Sequence, residues 1–154
     1  FPNGCHIAEV EIDQETGVVT LDRYTAVDDY GVTINPLLVT GQAHGAIAQG
    51  VGQALTERAV FDAESGQLLS GSFMDYCMPR ADDLPSFDVT LAGVRCTTNP
   101  LGVKGCGEAG AIAGFPATVN AVLDALRPLG VKTLNGPATP ETVWRLIRDR
   151  GSAS

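Results

Sequence analysis

Basic residues are scarce in this chain of 154 residues, since 10 Lys and Arg stand against 18 Asp and Glu and give a formal net charge of −8. Affinity for nucleic-acid phosphates comes mainly from Lys and Arg, so the sequence argues against a nucleic-acid partner. No apolar stretch approaches the roughly 20 residues that span a bilayer, and we expect no membrane span. The first residues lack the basic and apolar regions of a secretory leader, which predicts a cytoplasmic location.

Cysteine pairs and other metal-ligand patterns are also missing. The four cysteines, at positions 5, 77, 96 and 106, form no C-x-x-C pair. His6 has no second ligand near it in sequence, and His44 lies between glycines. We therefore expect no metal ion held by protein side chains.

The order of local patterns predicts one α+β domain. Apolar and polar residues alternate over residues 5–13, a turn follows at 13–17, and a second strand over 18–27 completes a hairpin, which residues 28–31 should end. Asn35 and Pro36 have the residue types of an N-cap and a first helical position. Further along we expect a hairpin over 58–70, a strand over 87–96, and helices over 116–126 and from Thr139.

Glycine is abundant, and the first of two clusters lies in the predicted Gly-rich helix. The segment GQAHGAIAQGVG, residues 41–52, contains four glycines, each costing about 0.5–1 kcal/mol in a helix relative to Ala. Small residues allow another backbone or a ligand to approach closely. Tight packing of the helix on a strand and contact with a ligand both account for the pattern. Gln42 offers an acceptor and a donor to a flat heterocycle, if a ligand binds there.

The second cluster, NPLGVKGCGEAG at residues 99–110, contains a formal G-x-G-x-x-G match over residues 105–110. A dinucleotide-binding fold needs a strand directly before the first glycine and a helix opening within the motif. Pro100 interrupts the approach and Pro116 is expected to delay the helix. Lys104 precedes the glycines, unlike the lysine of a P-loop. A nucleotide-binding protein that uses this loop remains one alternative.

Glu108 is a lone carboxylate among Gly, Ala, Val and Cys residues. If this run is buried, desolvation penalises the charged carboxylate and makes it a stronger proton acceptor. A general base that acts near neutral pH needs this property. A solvated loop glutamate is the other interpretation.

Three motifs together resemble a known family. NPLGVKGCGEAGAIAGFPATVNAVLDAL, preceded by GQAHGAIAQGVGQAL and SFMDYCMPRADDLPSF, is similar to the molybdenum hydroxylases, the superfamily of xanthine dehydrogenase, aldehyde oxidase and aerobic carbon monoxide dehydrogenase. The likeness runs from about residue 2 to residue 147. It implies that residues 1–154 are the C-terminal segment of the molybdopterin-binding domain in a much longer large subunit.

The resemblance implies roles for five residues. Glu108 would be the catalytic base that takes a proton as an oxygen nucleophile attacks the substrate carbon. Gln42 would contact the pyranopterin of the cofactor. Lys104, Gly105 and Gly107 match the rest of the glutamate loop and would belong to the cofactor-binding site.

The resemblance also implies the cofactors and partners. The cofactor would be molybdenum–molybdopterin, in the cytosine dinucleotide form of bacterial relatives, with iron–sulfur clusters and FAD on partner subunits or domains. The partners would be the remainder of the large subunit and the iron–sulfur and flavin subunits. We expect the chain alone to be inactive and to self-associate through an exposed apolar patch. A non-catalytic assembly module is the second alternative.

Overall fold

The predicted N-terminal hairpin is present in the computed structural model, which describes residues 1–151. Strands β1 (Asn3–Ile12) and β2 (Val19–Asp29) pair antiparallel. The turn between them closes through a hydrogen bond from Gly17 N to Asp13 O at 2.7 Å. Gly17 has φ +75°, a conformation that glycine adopts without the steric cost of a side chain.

A third strand completes a mixed sheet in which β2 is central. β3 (Phe87–Leu91) pairs parallel with β2 and ends earlier than the predicted residue 96. The hairpin expected over residues 58–70 is reduced to one antiparallel bridge between Phe61 and Leu68. The α+β class is confirmed, since three helices accompany this sheet.

Helix α1 (Pro36–Leu55) begins where its capping residues predict. The Asn35 side chain accepts a hydrogen bond from Leu38 N at 3.2 Å, and Pro36 occupies the first helical position. Helix α3 (Pro140–Gly151) begins in the same way, with Thr142 N donating to Thr139 Oγ1 at 3.3 Å.

Helix α2 (Ala109–Leu126) corrects the prediction of a helix over 116–126. It begins seven residues earlier, and Pro116 lies inside it. Proline removes one main-chain donor from a helix, yet the helix passes through this position because its first turns pack against α1. Glu108 consequently stands at the N-cap of α2 and not within a longer loop.

The described residues contain one helix, Ala109–Leu129, that is long and apolar enough by length and composition to cross a membrane. An apolar segment of this length was not expected from the sequence, while the expectation of no membrane span stays a prediction. The core helix of a soluble protein passes the same test, and α2 packs against both α1 and β1.

Three glycines allow α1 and α2 to approach each other closely. A Cβ atom on Gly50 would lie 2.7 Å from Phe115 N, and one on Gly110 would lie 2.9 Å from Ala43 O. A Cβ atom on Gly114 would lie 3.2 Å from Ile47 O. Later residues of α1 contact later residues of α2, so the two helices run in the same direction. The close packing that the sequence assigned to a helix and a strand is between two helices.

The hydrophobic core lies between this helix pair and the sheet. Its largest fully buried side chains come from β2 and from all three helices, and α3 contributes Val143. The other large members are Tyr24, Ile47, Val51, Val122 and Leu126.

A matched pair of substitutions tests the helix contact. Gly50→Ala should lower the free energy of unfolding by about 1–3 kcal/mol, because the added methyl group meets main-chain atoms that cannot move independently. Gly45→Ala, on the same helix, should raise it by about 0.5–1 kcal/mol, because a Cβ atom there meets no atom within 4 Å. Urea denaturation measures both, and equal effects of the same sign would contradict the proposed contact.

Candidate functional site

The structure brings the segments of Gln42 and Glu108 to the same end of the helix pair. Ala43 directly follows Gln42, and its carbonyl oxygen lies against Gly110, two residues after Glu108. Both Gln42 and Glu108 are exposed. Because α1 and α2 pack through main-chain atoms here, Gln42 and Glu108 project from two neighbouring, rigidly packed helix segments.

Of the two interpretations of Glu108, the structure of this chain agrees with the exposed one. Its main-chain oxygen accepts hydrogen bonds from Ala111 N at 3.1 Å and Ile112 N at 3.2 Å in the first turn of α2. These contacts fix the backbone of Glu108 at the helix terminus and leave its carboxylate facing outward.

Four glycines around these residues have open space in front of them. A Cβ atom on Gly41, Gly45, Gly105 or Gly107 would meet no atom within 4 Å. Packing within the described chain therefore does not require glycine at these positions, in contrast to Gly50. They leave room for a ligand or another main chain to approach α1 and the loop before α2.

The side chain of Lys104 does not point into this open space. Its Nζ donates to Asp29 Oδ2, and the two side chains are only 11% and 10% exposed. The main-chain N of Lys104 donates to Tyr30 O at 2.9 Å. Lys104 is therefore fixed to the end of β2 through both its side chain and its backbone.

Asp29 is the acceptor at the centre of this contact. Its Oδ1 accepts hydrogen bonds from Gly31 N at 2.8 Å and Val94 N at 2.9 Å. The hydrogen bond from Lys104, followed by those from the two main-chain donors, holds the pKa of Asp29 well below its usual range. Sequence reasoning ended the strand before this residue, whereas β2 continues through Asp29.

Sequence reasoning also missed a buried polar network on the other side of the same strand end. Asp28 Oδ1 lies 3.0 Å from His6 Nε2, and Tyr30 Oη donates to Asp28 Oδ2 at 2.8 Å. His6 Nδ1 lies 2.8 Å from Tyr24 Oη. Alternation along β1 could not show that His6 meets partners on β2, so the sequence carried no clear signal for the network.

Within residues 1–151, no group of three or more His, Cys, Asp or Glu side chains is arranged to hold a metal ion. The thiols of the four cysteines in this part of the chain are free. The nucleotide-binding alternative lacks its first requirement, because β3 ends at Leu91 and does not lead directly into Gly105.

Large apolar side chains are exposed at the same end of the helix pair. Leu37 and Leu38 in the first turn of α1 are 81% and 65% exposed, and Ile112 in the first turn of α2 is 75% exposed. Exposed apolar side chains that together form a large patch usually mark an interaction site.

Residues 1–85 match a family model described as the molybdopterin cofactor-binding domain. The chain is 42% identical over 148 residues to the nicotine 6-hydroxylase large subunit of Paenarthrobacter nicotinovorans, covering 96% of this chain and 18% of that protein. It is 33% identical over 153 residues to the carbon monoxide dehydrogenase large chain of Hydrogenophaga pseudoflava, covering 99% and 19%. The chain thus spans about a fifth of the length of these relatives.

Solved structures share the fold. Quinoline 2-oxidoreductase from Pseudomonas putida 86 superposes with a TM-score of 0.92 at 40% identity, covering 97% of this chain and 19% of that chain. Reconstituted carbon monoxide dehydrogenase from Oligotropha carboxidovorans superposes with a TM-score of 0.93 at 31% identity, covering 99% and 19%.

The buried tyrosines predict a loss of stability at alkaline pH. Burial, reinforced by Asp28, raises the pKa of both Tyr24 and Tyr30 above 10. Above about pH 10 the unfolded chain loses these protons while the folded chain keeps them. The free energy of unfolding should therefore fall by about 1.4 kcal/mol per pH unit for each tyrosine.

Urea denaturation of the wild type and of Tyr30→Phe between about pH 9 and pH 12 measures this slope. The variant should lose the contribution of one tyrosine. A slope unchanged by Tyr30→Phe would contradict the assignment.

Proposed function

Because the chain belongs to the molybdopterin cofactor-binding domain family, we propose that it is part of a molybdenum-cofactor-dependent oxidoreductase in which Glu108 acts as the catalytic base. One observation carries this proposal. The packing of α1 on α2 presents Gln42 and Glu108 at one end of the helix pair, beside glycines that face open space.

The residues present fit a large planar cofactor. Gly41 and Gly45 leave one side of α1 without side chains, and Gly105 and Gly107 do the same for the loop before α2. A side chain at any of these positions would fill the space in front of the backbone. The amide of Gln42 offers one acceptor and two donor hydrogens to the pterin ring.

Glu108 would hold and move the proton. A carboxylate accepts a proton from the attacking oxygen nucleophile as that atom bonds to the substrate carbon. The main-chain contacts of Glu108 with Ala111 and Ile112 fix the backbone from which the carboxylate projects. Placement on the first turn of a packed helix keeps the base in one position during the reaction.

The molybdenum centre, when bound, would accept two electrons from the substrate. We propose the molybdopterin cytosine dinucleotide form, with iron–sulfur clusters and FAD on partner subunits or domains carrying the electrons away. Residues 1–154 would form the C-terminal segment of the domain, in a cytoplasmic enzyme. The rest of the large subunit would cover the exposed apolar residues Leu37, Leu38 and Ile112 and exclude water from Glu108.

Nitrogen heteroaromatic compounds are the substrates to try first. Two relatives at 42% and 40% identity are named for nicotine and quinoline, whereas those named for carbon monoxide are 31–34% identical. Carbon monoxide, aldehydes and purines complete the panel for the assays.

Replacing the base tests the assignment of Glu108. In the assembled enzyme, Glu108→Gln keeps the size of the side chain but cannot accept the proton, so kcat should fall by about 10²–10⁴-fold. Molybdenum content, measured by metal analysis, should stay unchanged. Glu64→Gln, at an exposed position of another turn, is the control and should leave kcat unaltered. Full turnover per molybdenum in Glu108→Gln would refute the role and favour a non-catalytic assembly module.

Replacing Gln42 should give a different result. Gln42→Ala leaves polar atoms of the pterin without partners, at about 1–3 kcal/mol for each lost hydrogen bond. Molybdenum occupancy should therefore fall, while turnover per bound molybdenum changes much less. Gln53→Ala, exposed on the same helix, should keep full occupancy. If the two variants bind the same amount of molybdenum, Gln42 does not contact the cofactor.

A further inference from the structure

The loop that carries Glu108 is held firmly at both of its ends. At one end, Lys104 N donates to Tyr30 O at 2.9 Å, and Val32 N donates to Gly102 O at 2.9 Å. At the other end, Gly110 packs against α1. Only residues 105–109 lie between these fixed points, and two of them are glycines without neighbours in front of them.

One carboxylate adds a side-chain contact to the main-chain hydrogen bonds at the first of these ends. Asp29 accepts hydrogen bonds from four donors: Gly31 N, Val94 N, Lys104 Nζ and, at 3.3 Å, Asn3 Nδ2. These donors come from β1, from the turn after β2, from the segment after β3 and from the glutamate loop. Asp29 is 8% exposed, and the Lys104 side chain is 11% exposed.

Charge makes this contact stronger than the surrounding main-chain bonds. A hydrogen bond between two ionised groups is roughly twice as strong as one between neutral groups. Removing the carboxylate charge would leave the largely buried ammonium of Lys104 without its counter-ion, which is costly in a partly desolvated site. The lysine side chain would then turn towards solvent, and the start of the loop would keep only its main-chain hydrogen bonds.

We propose that Asp29 is a positioning residue for the reaction, which fixes the Lys104 end of the loop so that the Glu108 carboxylate is held at one place. This inference rests on the proposed function of Glu108. It assigns Lys104 to the support of the loop, since its ammonium is bound to Asp29 and is not directed at the open space beside the glycines.

Two substitutions remove the ion pair from opposite sides. Asp29→Asn keeps an oxygen to accept from Gly31 N and Val94 N but removes the charge, and Lys104→Met keeps the length of the side chain without its ammonium. In the assembled enzyme, each should lower kcat at least about 10-fold, as expected when a reacting group is displaced, with KM and molybdenum content within about 2-fold of the wild type. The double variant should be no worse than the more severe single variant, because both remove one interaction. Asp22→Asn, exposed on the same strand, is the control and should keep the wild-type kcat.

Hydrogen–deuterium exchange provides a readout that is independent of turnover. Peptides covering residues 102–108 should exchange at least about 10-fold faster in Asp29→Asn and Lys104→Met, and this increase should exceed any change in peptides of α1. An equal increase in all peptides, or no increase in the loop, would overturn the inference and leave Asp29 as a residue of general stability. Unchanged kcat in both variants would also overturn it.

The proposed function and this inference fail in different ways. If Glu108→Gln keeps full turnover, the function of Glu108 is refuted whatever the two loop variants do. If Glu108→Gln is inactive while Asp29→Asn and Lys104→Met keep both kcat and loop exchange, only the positioning role of Asp29 is refuted.

Discussion

The close approach of α1 and α2 determines where Gln42 and Glu108 stand. Gly50 and Gly110 bring the two helices so close that a Cβ atom would lie only 2.7 Å and 2.9 Å from the neighbouring helix, and a Cβ atom on Gly114 would make a tight contact at 3.2 Å. Because the helices run in the same direction, Glu108 is placed beside the α1 segment that carries Gln42. The sheet contacts α2 through β1 and α1 through β3. It thereby supports the helix pair. The positions of Gln42 and Glu108 therefore depend on helix packing, and that of Glu108 depends also on the anchored loop before α2.

The glycines of this chain serve two separate purposes. Those inside the helix pair are needed for packing within the chain, whereas Gly41, Gly45, Gly105 and Gly107 are not in contact with anything that requires them. The energetic cost of a glycine in a helix is repaid at Gly50 by packing. At Gly41 and Gly45, contact with a bound cofactor or with the rest of a larger subunit would have to offset this cost. This agrees with a chain that spans about a fifth of the length of its relatives.

Features of the fold set by local sequence could be predicted, and those set by distant contacts could not. The cap of α1 and the first hairpin depend on neighbouring residues such as Asn35 and Gly17, and both were predicted. The start of α2 was missed because Pro116 has the residue type of a helix start, while the true start depends on α1. The local pattern predicts the end of a strand at Asp28 and Asp29, because their partners His6 and Lys104 lie 22 and 75 residues away. The sequence left burial and exposure of Glu108 both open, because apolar neighbours in sequence need not surround a residue in space.

In the proposed function, this chain forms one wall of a molybdenum-cofactor site at the shared end of α1 and α2. The most direct measurement is an anomalous difference map, recorded at the molybdenum absorption edge from crystals of the assembled enzyme. We expect a molybdenum peak facing the Glu108 carboxylate. Density for the pterin should contact Gln42 and lie beside Gly41, Gly45, Gly105 and Gly107. A molybdenum peak remote from Glu108, with Gln42 and the glycines covered only by protein, would contradict it.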